Sequence, residues 1–207
     1  MWTPLLMSIG LTSSAGLWGD CPRRATLEQL DREVLACQVR LEEAQEAARS
    51  CDQGGSSTAL YRELLQAFAD TEVQVVRDGP RVVVSIPASL LFPGDGIEVR
   101  REARLVVDLL ATALNLHEDT SAWVLAHTDD SPIPRALLRA HGDALGLTQA
   151  QAGALVRMLT AEFSVAPGRL VAAGQGTARP RVAAETDGAR AQNRRVDVII
   201  GPTEDWR

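Results

Sequence analysis

The sequence predicts an α/β fold, an α+β sandwich whose mixed sheet is covered by helices on one side and preceded by an N-terminal helical stalk. Three observations predict it. From about residue 73 to residue 201, short apolar runs alternate with longer segments of helical periodicity, which implies a sheet with helices packed on it. Within that region Asp78-Gly79 lies between two β-branched runs, the signature of a hairpin. Upstream, apolar residues recur at spacings of three and four, as on one stripe of a long helix.

Residues 1–20 read as a secretory signal. Trp2 to Leu11 is largely apolar, and Ser13-Ser14-Ala15-Gly16 supplies the small residues that a signal peptidase prefers, although no Lys or Arg precedes the apolar run. Residues 21–55 read as a coiled-coil-like stalk and hinge. Leu27, Leu30, Val34, Cys37, Leu41, Ala44, Ala48 and Cys51 form an a/d seam on a helix about 37 Å long at the usual rise per residue. Such a stripe is covered either by a second copy, making a homo-oligomer through residues 27–51, or by packing within the chain. Cys37 and Cys51 lie roughly 21 Å apart on that helix and cannot bond to each other, but each would face its own copy in a parallel dimer. The alternative is that both are small buried apolar residues.

Asp52 to Thr58 is rich in Gly and Ser and is expected to break the helix. A second helix, Ala59 to Ala69, would present Leu60, Leu64, Leu65 and Phe68 on one face. A hairpin of Val73 to Val76 and Arg81 to Ile86 follows, then a helix from Glu98 to Asn115 with Val99, Leu105, Val106, Leu109, Leu110 and Ala113 facing inward. The remaining elements are a strand from Ala122 to Ala126, a long loop from Pro132 to Gly146, a helix from Thr148 to Phe163, and strands from Leu170 to Ala173 and Val196 to Ile200.

Composition narrows the function classes. The 207 residues are 45% hydrophobic and 23% charged, enough for one ordinary domain with an extension. A net charge of −6, with no basic run longer than Arg23-Arg24 or Arg100-Arg101, argues against a general nucleic-acid binder. The cysteine spacings match no usual zinc ligand pair, and no metal or cofactor is expected.

Four strings carry most of the functional information: Ala126-His127-Thr128-Asp129, continuing to Asp130-Ser131-Pro132-Ile133; Leu147-Thr148; Gly174-Gln175-Gly176 with Pro180; and Asn193-Arg194-Arg195-Val196. In this order and spacing they resemble the OmpA-like C-terminal domain family, of the OmpA/MotB type. In that family a strand ends in G-H-T-D, a helix opens with N-x-x-L-S-x-x-R-A, and a G-x-G turn precedes a closing N-R-R-V. The segment Leu90-Leu91-Phe92-Pro93-Gly94-Asp95 resembles the family's L-F-x-x-G. The likeness runs from residue 72 to 201 and assigns residues 56–207 to an OmpA-like peptidoglycan-binding domain.

The resemblance implies non-covalent binding of the peptidoglycan stem peptide, anchoring the outer membrane or an envelope complex to the cell wall, with no enzymatic activity. The location it implies is the periplasm, tethered to the outer membrane. Cys21 lies where the acylated cysteine of an OmpA-family lipoprotein would lie and is the candidate lipid attachment and membrane contact, although Trp18 and Asp20 make a poor lipobox. An ordinary cleavage site followed by an unpaired cysteine is the other reading.

The family's Asp and Arg hold the zwitterionic head of the stem's diamino acid, which needs a fixed negative acceptor and a bidentate donor. By that likeness the ligand-binding residues here are Asp129, Thr128, Gln151, Asn193 and Arg194. Asp129 matches the acceptor. The donor does not match: Gln151 stands where the family has Arg, Ala144 where it has Asn, and Ala126 where it has Gly. Exchanging a guanidinium for a carboxamide costs about 1.5 to 3 kcal/mol, a loss of roughly tenfold or more in affinity. Arg194, or Arg135 or Arg139 from the loop, could restore the charge, or the ligand could lack the carboxylate.

No nucleophile elbow, phosphate loop or HExxH string occurs. His127 reads as a structural residue that hydrogen-bonds across the turn, and His117 and His141 fall in or beside loops. Arg194 and Arg195 also read as solvated charges flanking an edge strand. The alternative function is a structural or assembly protein with an OmpA-like fold that has lost wall binding and acts through protein contacts.

Overall fold

The computed structural model describes residues 22–94 and 96–203. The expected signal, residues 1–20, and the candidate lipid site Cys21 lie outside the described residues. The chain divides into two compact units, Met1–Ala48 and Arg49–Arg207, each described by itself. Helix α1, Pro22–Ala67, supplies the described part of the first and opens the second. The break expected at Asp52 to Thr58 is absent, because those residues are helical. A Gly inside a helix costs only about 1 kcal/mol, and extending an existing helix is far easier than nucleating one.

In the first unit, Val34, Leu35, Val39 and Leu41 are exposed, as is the free thiol of Cys37. In the second, Leu60 and Leu64 of α1 and Phe68 just after it enter the core as expected, while Leu65 is exposed.

The expected hairpin is β1, Gln74–Asp78, with β2, Arg81–Pro87. The pairing of Asp78 with Arg81 leaves a two-residue loop that starts at Gly79, whose φ of 58° needs a residue without a Cβ. A single turn, α2 (Ala88–Leu91), leads to α3, Arg104–Leu116. Strand β3 is Thr120–His127, followed by α4, Arg135–His141, and α5, Ala144–Ala161. Strand β4, Leu170–Gly176, precedes α6, Asp187–Asn193, and β5, Arg195–Pro202.

The sheet order is β1-β2-β5-β3-β4, antiparallel except for the parallel pair β3 and β4, so the sheet is mixed as expected. Alternation puts Val82, Val84, Ile86, Ala122, Val124, Ala126, Val196, Val198 and Ile200 on one face, all buried. They join Val107, Leu110 and Leu114 of α3 and Ala152, Leu155 and Leu159 of α5 in one apolar cluster. The other face carries Ser85, Trp123, Asp197 and Ile199 at the corresponding positions.

The helix expected from Glu98 begins later, with a 3-10 turn at Arg101–Ala103, and Arg100 is extended. The buried face is also displaced from the expected one: Leu110 and Ala113 are buried, Val99, Val106 and Leu109 partly so, and Leu105 is 66% exposed, whereas Val107, Ala111 and Leu114 are buried. Two helices were not anticipated. Helix α4 lies in the expected loop and buries no side chain; α6 buries only Asn193. Neither carries an apolar stripe. The first is bounded by Pro134 and by Gly142, and the second starts where the Thr186 hydroxyl accepts from the Ala189 N–H at 3.1 Å.

Candidate functional site

The sequence strings meet at one end of the sheet. Strand β3 stops at His127, and the Thr128 N–H donates to the Gly176 carbonyl at 3.0 Å, tying the loop after β3 to the end of β4. The Gly176 N–H in turn donates to the Thr148 hydroxyl at 3.0 Å, which holds the start of α5 against the same strand end. Gln149 doubles that link, accepting from the Gly174 N–H at 2.7 Å and donating to the Ala172 carbonyl at 3.2 Å. At Gly174 a Cβ would stand 2.5 Å from the Gln149 backbone nitrogen, so this glycine serves helix-to-strand packing and not the approach of a ligand.

Asp129 is buried just beyond β3. Its carboxylate accepts from the Ser131 N–H at 3.1 Å and the Ser131 hydroxyl at 3.0 Å, and it is ion-paired with the Arg194 guanidinium. Next to it, Asp130 accepts from Arg190 of α6 at 3.1 Å. The loop after β3 is therefore clamped to the segment that opens β5.

A cavity of about 440 Å³ lies over this junction, lined among others by Phe92, Arg100, Thr128, Ser131, Gln151 and Arg194. Three of the five expected site residues, Thr128, Gln151 and Arg194, line it. Asp129 sits behind the lining, covered by Ser131 and Arg194. Asn193 lies elsewhere: its side-chain oxygen accepts from the Arg181 and Val182 N–H groups at 2.7 and 3.1 Å, and its amide donates to the Val182 carbonyl at 2.9 Å. Those bonds clasp the loop before α6. Gln151 donates to the Gly96 carbonyl at 2.9 Å.

Of the arginines that could replace the one missing at position 151, Arg194 lines the cavity, and Arg135 and Arg139, on α4, do not. Sequence reasoning missed Arg100, which lines it too. Read as part of a helix, that residue had no reason to turn to the site; only its extended conformation brings it there. A second cavity, about 560 Å³, lies between residues 97–104 and α5 and contains none of the motif residues.

The polar groups on the open face of the sheet form a separate cluster. The Asp197 carboxylate accepts from the Ser85 hydroxyl at 2.6 Å and from Arg195 Nε at 2.9 Å, with Arg181 at 3.4 Å. Arg195 is buried, because β5 lies between β2 and β3 and is not the edge strand the sequence suggested. His127 is 4% exposed, with Nε2 3.4 Å from Asp197, yet neither ring nitrogen makes a hydrogen bond. The expected hydrogen bond across the turn is absent, since Arg195 takes the nearer carboxylate oxygen. Burial, reinforced by Arg195, Arg181 and Arg179 and opposed by Asp197, pushes the His127 pKa down to about 4, so the ring is neutral at pH 7. Among the described residues no group of acidic, cysteine or histidine side chains could hold a metal ion, and no helix is long and apolar enough to cross a membrane.

Comparison with known proteins places this geometry. The chain is 24% identical over 153 residues to the Escherichia coli (strain K12) protein named Probable lipoprotein YiaD; the alignment covers 72% of this chain and 66% of that protein, a little under two thirds of its length. Among solved structures, the cell wall anchor of the T6SS from Pseudomonas aeruginosa superposes with a TM-score of 0.62 at 29% identity, over 69% of this chain and 96% of that one. A MotB-like protein from Desulfovibrio vulgaris shares the fold with a TM-score of 0.69 at 20% identity, over 74% and 95% of the two chains. The OmpA family itself matches residues 91–194, from the segment before the first 3-10 turn to the arginine paired with Asp129. With half of its length matched, including the loops that build the cavity, the chain belongs to the OmpA family.

Proposed function

We propose that this protein binds peptidoglycan non-covalently, holding the diamino acid of the stem peptide in the 440 Å³ cavity, and thereby anchors the outer membrane or an envelope complex to the cell wall. The observation that carries the reading is the buried Asp129 carboxylate, fixed by Ser131 and covered by Arg194. Arg194 is 37% exposed and is the movable partner. An incoming ammonium exchanges with it at Asp129, so one ion pair replaces another and no buried charge is left alone. Likeness to the cell wall anchor of the T6SS, at 29% identity, supports the reading.

The same reading puts residues 56–207 at the wall, residues 21–55 as a stalk and residues 1–20 as an export signal. The protein then works in the periplasm, tethered to the outer membrane through a lipid on Cys21, in keeping with a relative named as a lipoprotein. Exposure of Val34, Cys37 and Leu41 favours pairing of two stalks into a homo-oligomer, an assembly role that stands beside wall binding.

Competition tests the reading. A soluble stem tripeptide ending in the diamino acid should release the full-length protein from isolated sacculi. Retention on the sacculi at saturating tripeptide would count against the pocket as the wall contact.

A further inference from the structure

The OmpA-like pattern that the sequence resembles has an arginine where this chain has Gln151, so the ligand's carboxylate lacks that donor. We infer that Arg100 is the specificity-determining residue that binds this carboxylate, and that Gln151 positions it. The inference rests on the stem-peptide reading above and assigns the half of the ligand which that reading leaves unheld.

Four observations support it. Arg100 lines the same cavity as Gln151 and Thr128. Arg194, the other arginine there, must leave Asp129 before it can bind anything else, whereas Arg100 makes no ion pair among the described residues and needs no such exchange. Two contacts fix its place: its N–H donates to the Leu91 carbonyl at 2.7 Å, and Nη1 donates to the Ser89 carbonyl at 2.9 Å. A guanidinium has five N–H donors, so a bidentate grip on a carboxylate remains open to it.

The fourth observation is the bond from Gln151 to the Gly96 carbonyl at 2.9 Å. The residue that has lost the charge holds the segment that delivers the new one. Gly96 to Arg100 is extended or turned backbone before the 3-10 helix, and such a segment needs a tether to keep one side chain over a cavity. The amide of Gln151, buried in the cavity wall, is that tether. Charge has moved from α5 to the segment facing it, and the site keeps one donor fork for one carboxylate.

The test uses the full-length protein and two soluble stem tripeptides, one with the diamino acid's carboxylate free and one with it amidated, each titrated by calorimetry. Arg100→Ala should weaken binding of the free acid by about tenfold or more, the scale of a charge-assisted hydrogen-bond pair, and change binding of the amide by less than about threefold. Arg100→Lys, which keeps the charge but not the fork, should fall between, and Gln151→Ala should weaken the free acid and not the amide, an equal loss of both marking a merely structural role. The Ser89 contact of Arg100 is at the surface, so the melting temperature should barely change. If Arg100→Ala binds the free acid as wild type does, or loses both ligands equally, the assignment is wrong. Asp129→Ala run alongside separates the two claims: when it abolishes binding and Arg100→Ala does not, only the role of Arg100 falls. If wild type binds neither tripeptide, the stem-peptide reading falls and this assignment with it.

Discussion

The Arg194 guanidinium covers the Asp129 carboxylate and neutralises the charge that would select a ligand's ammonium. Asp129 therefore does not pay the desolvation of a lone buried anion, and Ser131 holds it by two further bonds whether or not Arg194 stays. The pair also joins the loop after β3 to the start of β5, which makes the site part of the fold.

Asn193 tests whether the closing string of the motif contacts ligand or supports the loops. It is 1% exposed and makes three hydrogen bonds to the Arg181 and Val182 backbone. Asn193→Ala should cost about 2 to 3 kcal/mol in urea unfolding by stranding those backbone groups, while the molecules that stay folded bind sacculi as wild type does. Weaker binding at unchanged stability would return Asn193 to the ligand site.

Buried neutral His127 makes stability depend on pH. In the unfolded chain it titrates near 6.5 and in the folded one near 4. Between those values the unfolded state binds more protons, so stability falls as pH falls from 6.5 to 4, by on the order of 3 kcal/mol at the lower end. His127→Asn should remove that part of the slope in unfolding free energy measured across the window. An unchanged slope would assign it to the carboxylates.

Gly174 should be intolerant of any side chain. Gly174→Ala would put a Cβ within 2.7 Å of the Leu145 carbonyl and the Thr148 hydroxyl, prising β4 from α5 at a cost of about 2 to 3 kcal/mol. Gly168→Ala meets nothing within 4 Å and is the matched control, expected near wild-type stability. Equal melting temperatures for the two variants would refute the packing role.

For the stalk, a variant keeping Cys37 as its lone cysteine should form a disulfide-linked dimer under mild oxidation, and Val34→Asn with Leu41→Asn should prevent it. Monomer by sedimentation before and after oxidation would show that the exposed seam does not pair.

What was legible in the sequence followed how strongly each segment repeats. Strands β2, β3 and β5 lie in the middle of the sheet and are buried along most of their length, so their short apolar runs identified them and the mixed sheet. Helices α4 and α6 bury almost nothing, and at seven residues each they are too short for a period to show. Leu105 was misplaced because α3 carries apolar residues on several faces, so spacing alone did not single out the buried one, which holds Val107, Ala111 and Leu114. At the site, Thr128, Gln151 and Arg194 were legible as neighbours because the motif strings that carry them meet at one cavity. Arg100 and the capture of Asn193 by Arg181 and Val182 depend on loops meeting in space, for which linear spacing holds no signal.

The most direct test of the wall-binding account is co-sedimentation of the full-length protein with isolated sacculi, wild type beside Asp129→Ala. Wild type should pellet, and Asp129→Ala, folded by circular dichroism, should stay in the supernatant. Pelleting of both to the same extent would contradict a binding pocket built on Asp129, and pelleting of neither would contradict wall binding itself.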